Sequence, residues 1–538
     1  MNNVIYDPLE EYENKLKALH AEHTRRFFDN LVTQSAVDVE ANRETVRRYN
    51  EQRESLEKLQ KKVRWRKFWR VLMCISLVLI PLVFTKMNPL IRQLTAQAEE
   101  MDKIVAALLA EAEEQMRPLN RLFTSRDSLS LIESTIPLIS FEDCLSVRQE
   151  EDMKLNYDFD ELEDNQQSTV DVLAGHYNEN PFLFESKLVH TMGTEIYHGY
   201  KTIHWTETYT DDDGKLKTRS RSQTLHATVT KPKPYYNTRL VLNYCSQGGP
   251  ELSFSRDASH LHEKSEKAIE RYVKRGERQL KRKTDKALRK DGDFMSMSNA
   301  DFEVLFDALD RTNEVQFRTL FTPLAQTNMV SLLLSKEGYG DDFAFVKAKR
   351  TNRIVSDHSQ GREMMLLPDH YVSHAFDTIQ ENFLSKNADF FKAVYFDFAP
   401  LWAIPLYQER PVHSLKPIAE LTQTVSLKEC ETLANLADAK HLVHPQTKTT
   451  AILKSTFLSS HNNVDEMGIT AYSYDIEPRI DLVPVYGDDG RWHNVPVEWD
   501  DYLPLEMFTR FGIAAADITK SKNQSVIAQR NGLCLFHT

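Results

Sequence analysis

Apolar positions repeat along this chain with two different periods, and the change from one to the other divides it. Ile91, Leu94, Ala98, Met101, Val105, Leu108 and Ala112 alternate steps of three and four, with acidic residues around them, as far as Pro118. Such spacing lines one stripe of a helix and predicts a coiled-coil-like seam over 88–120. Upstream, Leu9, Tyr12, Leu16 and Leu19, then Val46, Tyr49, Leu56 and Val63, trace a weaker pattern in which Arg53 and Gln60 fall at seam positions. A charged helical stalk is expected over 1–67. It has three ways to cover its stripe: pairing with the later helix, packing on its own domain, or pairing with a second copy of the chain.

Between the two patterns lie residues 71–84, a run of fourteen without a charge. As a helix it would cover only about 21 Å. Phe68, Trp69 and Arg70 before it and Thr85, Lys86 and Met87 after it bring the stretch close to the ~20 residues of a span, with the two cations snorkelling to the headgroups. The expectation is a transmembrane or re-entrant segment over 68–87, carried by Phe68, Trp69, Val71, Leu72, Ile75, Leu77, Leu79, Pro81 and Phe84. Pro81 would kink a spanning helix or shape a re-entrant turn whose arms return to one side. Eight Lys and Arg between Arg53 and Arg70, against three between Lys86 and Lys103, put the N-terminus in the cytoplasm. The opening residues lack a basic start and an apolar run, so insertion at the cell membrane would rest on this internal segment. The partners expected are the lipid bilayer and, through the stalk, the chain itself.

Beyond residue 121 the period shortens. Ile203, Trp205 and Tyr209 alternate on one arm and Leu225, Ala227 and Val229 on another, with Asp211-Asp212-Asp213-Gly214 between them, which predicts a long β-hairpin. Three aspartates before a glycine could suggest calcium, but the spacing and closing Glu of a calcium loop are missing. The acidic stretch 149–167 reads as a short helix or loop, and Ser168-Thr169 as the cap of a further helix. From 361, the apolar run 390–407 predicts a buried helix followed by a strand. Alternating segments on either side of Asp488-Asp489-Gly490 predict a second hairpin. The fold class expected is α+β: an α+β domain with its hairpin over 121–360 and an α+β region over 361–538.

Net charge is -12, which argues against the whole chain binding nucleic acid. Locally the sign reverses. Residues 264–290 hold twelve Lys or Arg against four Asp or Glu, with Ile269, Val273, Leu280 and Ala287 spaced for one helical face. Lys274, Arg275, Arg278, Lys281, Arg282 and Lys283 are the candidates for contact with an anionic surface; the alternative is a solvated helix that keeps the protein soluble. The five cysteines are scattered and form no C-x-x-C, so they read as reduced thiols.

Gly199 before the hairpin, Phe302-Glu303, Phe306, a strand ending at Phe317-Arg318, Phe321-Thr322-Pro323, Met329, Leu332, Leu333 and Phe343-Ala344-Phe345 follow in order over about 190–350. In these residues the chain resembles an uncharacterised bacterial family that carries N-terminal membrane segments before an α+β domain. The resemblance implies architecture and no activity. It also implies two membrane segments, where this chain has one.

No phosphate-cradling G-x-x-x-x-G-K-[ST], no G-x-S-x-G and no H-E-x-x-H occurs. His441, His444 and His461 are too loosely placed for a zinc site, since Pro445 interrupts the helix that would align them. Cys245-Ser246 before Gly248-Gly249 reads as a loop at a strand end. No catalytic residue, cofactor or metal is expected, and the leading reading is a membrane-anchored, non-enzymatic scaffold or binding protein. A membrane-tethered enzyme with an unrecognised site is the alternative, with lipid or nucleic-acid binding through the basic helix as a third.

Overall fold

The structure is a computed structural model and describes residues 4–75, 87–159, 166–210, 212–289, 296–411, 423–516 and 525–537. After a short helical entry over Pro8–Glu11 and Tyr12–Leu16, the helices are α1 (Lys17–Ser35), α2 (Val39–Ile75), α3 (Asn88–Asn120), α4 (Asp127–Thr135), α5 (Val147–Tyr157), α6 (Glu266–Arg289), α7 (Ala300–Phe306), α8 (Glu314–Leu320), α9 (Pro323–Leu334), α10 (Phe376–Trp402) and α11 (Leu427–Leu436). The strands are β1 (Ile139–Phe141), β2 (Gln167–Tyr177), β3 (Asn180–Thr210), β4 (Leu216–Cys245), β5 (Ser253–Arg256), β6 (Phe343–Ala348), β7 (Thr351–Ser356), β8 (Ile452–His461), β9 (Val464–Tyr486), β10 (Trp492–Ala515), β11 (Val526–Arg530) and β12 (Leu533–His537). Helices and antiparallel sheets together make the fold α+β. The chain forms two compact units, Asp7–Pro137 with Met365–Phe398, and Val4–Tyr6 with Leu138–Met364 and Ala399–Thr538.

The first unit is helical. Asp38 caps α2 by accepting from the Ala41 N–H at 3.0 Å. Asn42, fully buried, donates to the Ala112 carbonyl and to Gln115, while Gln115 donates to Thr45 at 3.1 Å. These bonds match the start of α2 to the end of α3, so the two helices run antiparallel. Their shared seam is Tyr49, Leu56 and Val63 from α2, spaced by sevens, and Ile91, Leu108 and Ala112 from α3. Leu94, Ala98, Met101 and Val105, at the predicted seam positions, are half-buried. Arg53 and Gln60 are not seam residues: both are exposed, and Leu59 takes the place that Gln60 was expected to fill. A long amide and a guanidinium lose too much hydration on an apolar stripe, whereas Asn42 is buried because every polar atom it offers has a partner.

Residues 1–67 do not form one stalk. Ala36 takes a left-handed backbone (φ 51) and ends α1. α1 then contributes Phe28 to a core with Met116, Leu119, Phe123, Leu131, Tyr371, Phe376, Ile379 and Phe383. Nearby, His20 stacks on Phe391 with ring centroids 4.0 Å apart, and its nitrogens meet Thr135 Oγ1 at 3.0 Å and the Asn387 carbonyl at 3.2 Å. Burial pushes its imidazole down to about 4.

The second unit holds two antiparallel sheets, ordered β1-β2-β3-β4-β7-β6-β5 and β11-β12-β10-β9-β8. Residues 168–173 belong to β2 and not to a helix: Val172 and Ala174 alternate into a core with Leu183 and Cys245, and tertiary packing overrides the Ser-Thr cap signal. Phe317-Arg318 lies in α8 and not in a strand, because Asn313 caps that helix at the Gln316 N–H. Phe254, Phe302, Phe306, Phe317, Phe321 and Phe345 pack ring against ring there. After α10, Pro405–Gln408 is a 3-10 turn where a strand was expected. Proline at its first position supplies no strand hydrogen bond. Among the described residues the cysteines are free thiols.

Two long hairpins project from the sheets. β3 and β4 pair without interruption from Phe182↔Tyr244 to Thr210↔Leu216, and β9 and β10 from Asp465↔Ile513 to Tyr486↔Trp492. Past the reach of β2 and β8 each is only two strands wide, a width that is marginal alone in water. The arms therefore bury their inner faces on one another, Ile203, Leu225 and Ala227 against Val495 and Val497. Trp205 joins this cluster as predicted, but Tyr209 lies beyond it, exposed, with Arg219 over its ring. Gly199 permits the close approach, since a Cβ there would collide with the Pro496 carbonyl.

Two outcomes test this fold. The unfolded His20 titrates near 6.5 and the folded one near 4, so between those pH values the unfolded state binds the extra proton. Stability contributed by the neutral ring is present above 6.5 and falls by about 3 kcal/mol as pH drops to 4. Urea denaturation at pH 7 and pH 5 is expected to show a smaller acid loss in His20→Gln than in the native chain; an equal loss would count against the buried neutral ring. For the arms, Gly199→Val is expected to cost about 1–3 kcal/mol. Hydrogen exchange should accelerate in both hairpin arms while β6 and β7 stay protected, and unchanged exchange in β9 and β10 would mean the arms do not support each other.

Candidate functional site

Two surfaces, one in each unit, carry the features singled out in the sequence. The first is the end of the α2–α3 pair. No Asp or Glu occurs between Glu57 and Glu99, a stretch of 41 residues holding nine Lys or Arg. Nearer the base, Arg43, Arg47, Arg53 and Lys58 pair with Glu40, Glu44, Glu57 and Glu54. From Lys61 onward the cations Lys61, Lys62, Arg64, Arg66 and Lys67 are exposed and have no ion pair among the described residues.

Aromatic rings stand in the same turns. Trp65 is 61% exposed, Phe68 59% and Trp69 38%. They touch one another, with centroids 5.7 Å apart for Trp65 and Trp69 and 6.1 Å for Trp65 and Phe68. A core would have buried these rings; here three large apolar faces are held out in water beside five unpaired cations. Of the predicted membrane segment, Val71, Leu72 and Ile75 continue α2, and Leu77, Leu79, Pro81 and Phe84 lie outside the described residues. Among the described residues no helix is long and apolar enough to cross a membrane.

The second surface is α6. It rests on α7 at Gly276, where a Cβ would collide with Val304; on the same stripe Leu280 is buried and Ile269 and Val273 are half-buried. That narrow footing turns the opposite face fully outward. Lys274, Arg275, Arg278, Lys281 and Arg282 are exposed there. Lys283 points the other way. It is half-buried and donates to the Leu309 carbonyl at 2.7 Å, and desolvation lowers its pKa. Two residues the sequence reading passed over, Leu261 and Tyr272, join Lys264, Arg271, Lys274, Arg275 and Arg278 around a groove of about 560 Å³. The helical repeat alone could have indicated Arg271, which stands one turn before Arg275; Leu261 depended on the 3-10 turn Leu261–Glu263 that precedes the helix.

Elsewhere in this unit a cleft of about 410 Å³ between the two sheets is lined by His190, Tyr236, Tyr472, Tyr474 and Glu506. The groups whose ionisation is most displaced lie apart from both cavities. Burial drives Lys347 down to about 7, and its ammonium nitrogen is held by the Gly248 and Lys349 carbonyls at 2.8 and 2.6 Å. Burial likewise raises the Cys245 and Cys430 thiols. The buried pairs Arg256–Asp341 and Lys428–Glu185 fasten a loop and a helix to the sheets, and Arg311–Glu303 ties the α7–α8 loop to α7. Among the described residues no group of His, Cys, Asp and Glu is placed to hold a metal. Comparisons with protein-family models, with curated proteins and with solved structures found no match. Of the residues in which the resemblance was read, Phe302, Phe306, Phe317, Phe321, Met329, Leu332, Leu333, Phe343 and Phe345 are buried, and Arg318, Thr322 and Pro323 are exposed.

Proposed function

We propose that this chain is a membrane-anchored, non-enzymatic scaffold or binding protein whose hold on the cell membrane is the end of the α2–α3 helix pair. The observation that carries the reading is the exposed Trp65, Phe68 and Trp69 among unpaired cations, at the edge of the apolar run 71–84. Aromatic rings and Lys or Arg together favour the headgroup layer. Each cation near an anionic leaflet adds about 1 kcal/mol of attraction.

The antiparallel pairing favours one of the two topologies. A chain that leaves along α2 and returns along α3 starts and finishes on one side, and fourteen apolar residues cannot cross a bilayer twice. This supports a re-entrant anchor over a single span, with both flanks on one face of the membrane. The basic excess before it makes that face the cytoplasmic one.

Flotation of the full chain with phosphatidylcholine vesicles containing phosphatidylglycerol tests the anchor. The triple variant Trp65→Glu, Phe68→Glu, Trp69→Glu is expected to lose flotation while keeping its circular dichroism, because these side chains have little to hold in the fold. Flotation equal to the native chain would overturn the reading. Cysteines introduced as Glu51→Cys in α2 and Glu113→Cys in α3, both exposed, are expected to react with an impermeant reagent from the same side; opposite sidedness would restore a single span.

A further inference from the structure

We infer that the groove on α6 binds a compact ligand carrying two or more phosphate groups. This goes beyond membrane anchoring and does not depend on it. Its first support is electrostatic. Lys267–Arg271, Arg271–Arg275, Lys274–Arg278, Arg278–Arg282 and Arg282–Lys286 are like-charged neighbours one turn apart. Each such pair works against the helix by about 0.2–0.5 kcal/mol. Opposite charges at the same spacing, Glu270 with Lys274 and Glu277 with Lys281, form no ion pair among the described residues. The helix thus keeps a self-repelling face uncompensated from within, and an external anion relieves it.

Shape then narrows the ligand. The cations do not lie on a flat stripe: Lys264, Arg271, Lys274, Arg275 and Arg278 surround one concavity of about 560 Å³, with Leu261 and Tyr272 as apolar wall. Five positive charges match two or three phosphate groups, each bearing nearly two negative charges when singly esterified. Guanidinium forks bind phosphate oxygens in pairs, so Arg271, Arg275 and Arg278 can each take two. The neighbouring cavity, of about 150 Å³, sets Glu303 and Asp307 against Arg275 and Lys283, so the excess of positive charge is confined to the larger groove. A nucleic-acid strand is a poorer fit, because Tyr272 is the sole aromatic ring of α6 and base stacking needs a series of them. Insertion into lipid is also a poor fit, since the apolar stripe of α6 is already used on α7.

The probe is inorganic tripolyphosphate, titrated calorimetrically into the full chain. The groove variant Arg271→Gln, Arg275→Gln, Arg278→Gln is expected to bind about tenfold or more weakly. A control with the same loss of charge, Lys281→Gln, Arg282→Gln, Lys286→Gln, is expected to stay within about twofold. All six side chains are exposed, and unchanged thermal melting checks that both variants fold. The Arg→Lys triple keeps the charge and loses the forks, and an affinity between native and Gln variants supports the paired contacts. Equal weakening by the two Gln triples, or no binding of tripolyphosphate, overturns the site. So does a single-stranded oligonucleotide that binds more tightly than tripolyphosphate.

A second arm separates sources of the phosphate. In the Trp65→Glu, Phe68→Glu, Trp69→Glu background, phosphatidylcholine vesicles doped with phosphatidylinositol bisphosphate are compared with vesicles doped with phosphatidylserine. Groove-dependent capture by the first and not the second identifies a lipid headgroup, and tripolyphosphate binding without vesicle capture identifies a soluble ligand. Both support the site, and neither outcome depends on whether the helix-pair end anchors the chain.

Discussion

Everything proposed for the first unit depends on the antiparallel seam between α2 and α3. Helix pairing fixes direction as well as contact: Asn42 bonds to the Ala112 carbonyl and Gln115, so the chain reverses between the end of α2 at Ile75 and the start of α3 at Asn88. In sequence, the apolar run 71–84 straddles the end of α2. Placed elsewhere in the sequence it would read as an ordinary core segment, because fourteen residues are as long as many buried helices. Its place in the sequence, after about 45 Å of α2 beyond Thr45, is what supports the membrane reading. A buried asparagine with every polar atom satisfied is a register device, since any slip of the two helices would orphan its amide.

The second unit solves a different problem. A hairpin of two strands has two faces and two edges, and the long arms of β3–β4 and β9–β10 outrun the sheets that start them. One face of each is covered by the other arm, where Lys231 bridges to Asp481 at 2.7 Å and lies 4.0 Å from the Trp499 ring. The edges have no such cover. Pro232 and Pro234 on β4 and Pro478, Pro484, Pro496 and Pro504 on the other arm withhold the N–H groups that an added strand would need. Proline is usually taken as an argument against a strand, so the extent of both arms was only partly legible: alternation showed their centres and the prolines obscured their ends.

What could be read from sequence was what depends on local periodicity. The positions from Ile91 to Ala112 all face the seam, because a period near 3.5 has one helical interpretation. Arg53 and Gln60 were misplaced because the heptad was extrapolated through residues that need not keep it, and Leu59 gave the chain a cheaper apolar choice one residue away. Ser168-Thr169 and Phe317-Arg318 went wrong in opposite directions for one reason. Short segments take the structure their neighbours impose, and neither the β2–β3 pairing nor the phenylalanine cluster is visible in a window of six residues. The buried pairs were beyond reach altogether. Arg256 and Asp341 are separated by 85 positions, Lys428 and Glu185 by 243, and nothing in the sequence marks them as partners.

The basic helix shows where composition stops and geometry begins. An excess of Lys and Arg fixes the sign of the partner but not its form, since a membrane plane, a nucleic-acid strand and a small polyanion all answer to positive charge. Form comes from what the rest of the helix is doing. An amphipathic helix that lies in lipid must offer its apolar side; α6 has spent that side on α7, and Gly276 allows it to sit so close that no lipid chain could enter. What remains outward is charge alone, and charge arranged along a flat face would favour any extended anion equally. The 3-10 turn at Leu261–Glu263 removes that equality by bringing Leu261 and Lys264 alongside Arg271 and Arg275, which closes part of the face into a concavity. Selectivity for a small, highly charged ligand over a long one follows from that closure, because only a compact anion can meet all five cations without leaving some of them facing water.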